Sequence, residues 1–148
     1  MIKEYPNSEI FKYVAEEISH GENVQLRVKG NSMLPFIREG DSIILIPYNP
    51  SCLKIGDVVL FNHKKEVRLH RIIHKNGSSL ILQGDGNINA KELIDLLDVI
   101  GKLKQIIRRN EKKINTDTWV WYFSFYIWYL LRPFRSYLLK LYRVCKNN

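Results

Sequence analysis

Cysteine is nearly absent from this sequence: only Cys52 and Cys145 occur. Two thiols so far apart frame no disulfide-stapled scaffold, and neither stands at metal-ligand spacing. They read as unpaired thiols of a reducing compartment, and neither a metal nor a cofactor is implied. An apolar run at the amino terminus is also missing, because Lys3, Glu4 and Glu9 interrupt it. Neither a secretory signal nor an amino-terminal membrane anchor is therefore expected. Acidic residues are scarce in one region only. Residues 101–148 hold eleven Lys and Arg against Glu111 and Asp117, a charge of +9, whereas the first hundred residues sum to −1. The net +8 thus belongs to the tail. A near-neutral body argues against a nucleic-acid face on the globular part, and nucleic acid is not an expected partner.

What is present suits a folded chain. The 148 residues, 45% hydrophobic and 26% charged, are enough for one compact domain with an appendage. Near the start, Asn7 or Ser8 is placed to cap a helix whose apolar Ile10, Phe11, Val14 and Ile18 share one stripe, with Gly21 to end it. Glu9, Glu16 and Glu17 lie off that stripe, so the helix is expected to lie on a β core. It is too short to supply a helix-turn-helix DNA reader.

From 23 to 107 short β-rich runs follow one another. Val24, Leu26 and Val28 alternate with polar residues, while 43–46 and 58–61 are continuous apolar runs, each preceded by Gly-Asp. Val67 to Leu69 leads into Ile72-Ile73, Leu80 to Leu82 follows a Lys-Asn-Gly-Ser turn, and 99–107 closes the set. Residues 91–97 are expected to make one or two helical turns. Gly, Asn and Asp between closely spaced strands predict a mainly β fold, a coiled antiparallel sheet or partial barrel.

After Ile107 the composition changes. Residues 108–113 are basic and polar; 119–131 are apolar except for Ser124 and hold all three Trp. Arg132-Pro133 breaks this run, and Pro133 suits the first turn of a second helix. There Phe134, Tyr137, Leu138, Leu141, Tyr142 and Cys145 recur at helical spacing, with Arg135, Lys140 and Arg143 on other faces. A thirteen-residue helix over 119–131 reaches roughly 20 Å, short of the roughly 30 Å of a hydrocarbon core. Aromatic surface beside basic groups is what a helix lying on a membrane requires, so residues 118–145 are expected to bind a membrane surface peripherally. Folding back on the β domain and a dimer contact are the competing expectations. The organisation read from the sequence is thus 1–22 helix, 23–107 β domain and 108–148 basic aromatic tail. The excess of positive charge places the tail on the cytoplasmic face, which would make the substrate of an enzyme here a cytoplasmic precursor.

One serine stands out in this frame. Ser32, in Gly30-Asn31-Ser32-Met33-Leu34-Pro35, follows a strand and precedes another. A serine hydroxyl becomes nucleophilic only when a base takes its proton. His70, within the β-rich 67–73 run, is a candidate, since an imidazole with its ordinary pKa of about 6.5 serves as a base near neutrality. Most turn serines and strand histidines have no such role, and spacing alone does not single out this pair.

Five short boxes add to that reading. Ser32-Met33-Leu34-Pro35, Gly40-Asp41, Gly56-Asp57-Val58-Val59-Leu60-Phe61, Leu69-His70-Arg71-Ile72-Ile73 and Gly84-Asp85-Gly86-Asn87 occur in this order. The series resembles the signal peptidase I and repressor-cleavage superfamily of serine peptidases, over about 28–107. The resemblance implies a coiled-sheet fold and a serine endopeptidase that cuts an extended peptide or precursor protein through an acyl-enzyme. Ser32 matches its nucleophile, and Met33 a residue beside the substrate pocket, with Asn31 and Pro35 flanking. His70 followed by Arg71 resembles the Ser–His branch; Lys64 and Lys65 fall in a hairpin turn. Asp85 matches the acid that shapes the site and orients the base. Where that branch commonly adds a further acid stand Ala90 and Lys91, with Glu92 nearby, and Gly30 replaces a hydroxyl residue that supplies an oxyanion donor. These departures keep open a non-catalytic peptide-binding module on the same fold. A self-cleaving regulator and a lipid-bound structural protein are more distant alternatives.

Overall fold

The computed structural model describes residues 7–146, with the side chains of Asn7 and Ser8 excepted, so the expected cap lies outside the described residues. Helix α1 (Asn7–Ser19) buries Val14 and Ile18 and rests Ile10 and Phe11 against the same core. Gly21, at φ 85°, ends it as expected: the Gly21 and Glu22 N–H groups bond back to the carbonyls of Ile18 and Glu17.

The body is one antiparallel eight-stranded sheet. Its strands are β1 (Val24–Arg27), β2 (Ser42–Ile46), β3 (Val58–His63), β4 (Glu66–Asn76), β5 (Ser79–Gln83), β6 (Glu92–Asp95), β7 (Val99–Ile107) and β8 (Lys113–Asn115). The order is β1-β2-β7-β3-β4-β5-β6, with β8 added to β7. The sheet coils through register shifts at Ile44/Leu45, Leu60/Phe61 and Ile72/His74, and its ends do not meet, so it stops short of a barrel.

β3 is apolar from Val58 to Phe61 because both its faces are covered there. Val58 and Leu60 point into the core under α1, whereas Val59 and Phe61 enter a second core with Ile72, Leu80, Leu82 and Ile94. The two Gly-Asp boxes prove to be one device used twice. Gly40 (φ 86°) and Gly56 (φ 98°) take left-handed turns that suit glycine, and the following Asp side chain accepts from the N–H three residues back, Arg38 for Asp41 and Lys54 for Asp57. Each turn launches an apolar strand.

Two expectations are corrected. Residues 91–97 are mainly strand β6 followed by a tight turn over Leu96–Asp98, since Glu92 and Ile94 alternate inward against exposed Leu93 and Asp95. The β domain also does not end at 107: the basic stretch is the β7–β8 turn, and β8, with Ile114 as its one apolar residue, was too short to read. Helices α2 (Trp119–Leu130) and α3 (Arg135–Lys146) follow, joined by a short turn over Arg132–Phe134. Trp121 joins the core under α1, and Trp128 and Leu139 form a third cluster with Leu34.

Candidate active site

β1 delivers the chain to the Ser32 turn. The Val28 N–H bonds to the Asp41 carbonyl and the Gly40 N–H to the Val28 carbonyl, which prolongs the β1–β2 pairing to Val28, two residues before Gly30 (φ 81°). Met33 and Leu34 are then buried as anchors, while Ser32 between them and Asn31 is exposed. Buried neighbours beneath an exposed hydroxyl are what a presented side chain needs.

His70 comes from β4, opposite Val59 of β3. Its ring is buried, leans on Phe61 and meets Glu92 of β6: His70 Nδ1 and Glu92 Oε2 are 2.8 Å apart. A carboxylate accepts, so Nδ1 carries the proton, and in the neutral imidazole Nε2 then holds the lone pair. Arg68 donates to the other Glu92 oxygen at 3.1 Å and to Glu66 at 2.6 Å. Glu92, 5% exposed, is thus held at both oxygens.

The Gly84-Asp85-Gly86-Asn87 segment lies against both partners. The Gly86 N–H bonds to the Ser32 carbonyl at 2.8 Å. A Cβ on Gly84 would stand 2.4 Å from that carbonyl oxygen and 3.1 Å from His70 Nε2, so both lie beside one point and only glycine fits between them. Ser32, His70, Met33 and Asn87 line one groove of about 310 Å³ with residues 28–30 and 67–69 as its walls. Among the described residues no hydrogen bond joins the Ser32 hydroxyl to His70; such bonds commonly tighten only when substrate is bound. Asn31 and Pro35, expected at the substrate pocket, do not line this groove; Asn31 uses its carbonyl to accept from Leu34.

Asp85 does not meet His70. Its carboxylate takes both arms of Arg71, Nε at 2.8 Å and Nη2 at 2.7 Å, and Arg71 also donates to the Gly56 carbonyl. Arg71 is fully buried, its guanidinium within 5.0 Å of the ring centres of Phe36, Trp121 and Phe125. Trp128 Nε1 donates to the Asp85 carbonyl at 2.9 Å. Tyr122 donates to Asp57 at 2.6 Å, and burial with that bond pushes its phenol above the ordinary tyrosine range. The expectation that Asp85 orients the base is therefore corrected: Arg71 occupies it, and Glu92 sits at Nδ1.

Residues 2–104 match the family described as Peptidase S24-like. The chain belongs to that family. The S24-like match covers more than half of the sequence and supports a serine-peptidase type of hydrolase, the wider superfamily that the five boxes resemble. No curated protein matches the chain. The S24-like region ends inside β7, so α3 and α2, whose rings cover Arg71 and Asp85, lie beyond it. Neither Arg68 nor the aromatic cover from α2 stands out in the sequence, where Glu92 is only a neighbour of the expected acid position. One signal for Glu92 was present, an acid at an inward position of β6 where its neighbour Leu93 faces out.

Proposed function

We propose that the protein is a serine endopeptidase of the Ser–His type, with Ser32 as nucleophile and His70 as general base. The observation that carries this reading is the His70 ring, tied to Glu92 at Nδ1 and lining one groove with Ser32, whose carbonyl borders the same Gly84 position as Nε2. β4 pairs with β3 along 66–71 but with β5 only from Arg71 onward. The edge at 67–69 therefore faces the 28–30 segment across the groove, and an extended substrate strand fits between them. Ser32 Oγ attacks the scissile carbonyl carbon as its proton passes to His70 Nε2. The tetrahedral intermediate collapses, the C–N bond breaks, and His70 gives that proton to the departing amine. Water then attacks the acyl-enzyme with His70 again as base, which frees the carboxylate product and restores Ser32. Its own backbone N–H is the oxyanion donor that remains where Gly30 replaces a hydroxyl.

Defined peptide mixtures incubated with the full chain and read by mass spectrometry test the proposal. Cleavage by the wild type, lost in Ser32→Ala and in His70→Ala while circular dichroism is unchanged, is the expected result. Products that persist in both variants would overturn it. Gly30 and the open Ser32–His70 geometry favour a second reading, a peptide-binding module; peptides bound equally by wild type and Ser32→Ala, with no product, would establish that instead.

A further inference from the structure

We propose that the outer face of α2 and α3 is a docking surface for an anionic lipid bilayer. The proposal is independent of the role of Ser32. α2 is apolar on every side except at Ser124, yet it has only one face on the domain: Trp121, Phe125 and Trp128 are buried. On the opposite side Trp119 is 76% exposed, Phe123 57% and Leu130 78%. α3 repeats the arrangement. Arg135 and Leu139 are buried beneath it, whereas Tyr137 and Leu141 face out at 63% and 46%. The apolar stripe that periodicity picks out in α3 is thus mainly its outer one, and the side it turns inward carries an arginine.

An apolar face of this extent needs an occupant, and charge selects among the candidates. Residues 118–148 contain five basic residues and no Asp or Glu. Arg135 is buried, leaving Arg132, Lys140, Arg143 and Lys146 exposed around the apolar stripes. Face-to-face pairing of two copies would bring like charges together without an acid between them. A bilayer with anionic headgroups complements both features, since Trp and Tyr settle at headgroup depth and each cation is attracted to the surface. No helix among the described residues is long and apolar enough to cross a membrane, and the inner faces are already committed to the domain. The surface therefore docks flat.

Co-sedimentation of the full chain with phosphatidylcholine vesicles, with and without phosphatidylglycerol, tests this. Binding to the anionic vesicles, weakened by high salt and accompanied by a blue shift of Trp119 emission, is expected. The combined variant W119S/F123S/L130S, altered only on the outer face, should bind about 100-fold more weakly or worse, with an unchanged circular dichroism spectrum. Failure to bind anionic vesicles at low salt, or equal binding by the variant, would overturn the proposal. So would a dimer of the wild type, found by light scattering without vesicles and lost in the variant, which would assign the face to a second copy.

Discussion

Glu92 is the carboxylate that the imidazole sees, and Asp85 is the one that the arginine sees; the two substitutions should therefore fail differently. In Glu92→Gln the amide can turn an N–H toward His70 Nδ1, which moves the ring proton to Nε2 and removes the base. On the proposed chemistry, kcat should drop by about 10² to 10⁴ with KM and melting temperature nearly unchanged. Asp85→Asn instead leaves the Arg71 charge buried without its partner. A loss of about 3–5 kcal/mol in a urea melt is expected, whatever the effect on turnover. Ser32 and His70, the proposed pair, stand out in the sequence because each sits inside a box of its own. Glu92 could not be assigned its role, because it reaches His70 only through two registers: Leu82 opposite Glu92 across β5–β6 and Ile72 opposite Leu82 across β4–β5. Sequence spacing carries no record of such pairings.

At the scale of elements, α2 shows where hydropathy fails as a guide. A helix apolar all round gives no stripe, so its sequence leaves open which side packs, and whether any does. What decides is the complementary surface: the buried Arg71–Asp85 pair offers a cation for aromatic faces, a carbonyl for the Trp128 N–H and, nearby, Asp57 for the Tyr122 hydroxyl. The strands were easier to read, since the two Gly-Asp turns punctuate them and period-two patterns fix their faces. Tyr122 offers a test of the docking. A phenol whose folded pKa lies above its unfolded value of about 10 contributes stability that is complete below that pH. The contribution declines above about pH 10 and is lost as pH rises through the folded pKa. Tyr122→Phe should therefore be less stable near neutrality, by about 1.5–3 kcal/mol for a hydrogen bond to a charged group. It should also lose less stability than the wild type above about pH 10. Denaturant melts of both proteins across that range check it, and parallel curves would mean that the hydroxyl does not hold the helix.

For the molecule as a whole, the division into β domain and tail follows composition, whereas the packing does not respect it. Trp121 belongs to the same core as Val14 of α1 and Leu60 of β3, and Trp128 and Leu139 close over Leu34, two residues from Ser32. The tail therefore backs the turn that carries the hydroxyl, and it covers the ion pair beside His70. If α2 were an appendage, its amides would exchange with solvent through local opening while those of β3 stayed protected. Removing α2 from the body would uncover a desolvated guanidinium–carboxylate pair together with the surface under Trp121, at a cost comparable to much of a domain's net stability. Opening of α2 should thus coincide with global unfolding. Hydrogen exchange on the full chain is expected to give the amides of residues 123–130 the same opening free energy as those of β3, with the same denaturant dependence. Exchange of α2 at much lower free energy, with β3 unaffected, would restore the two-part organisation and detach the tail from the β domain.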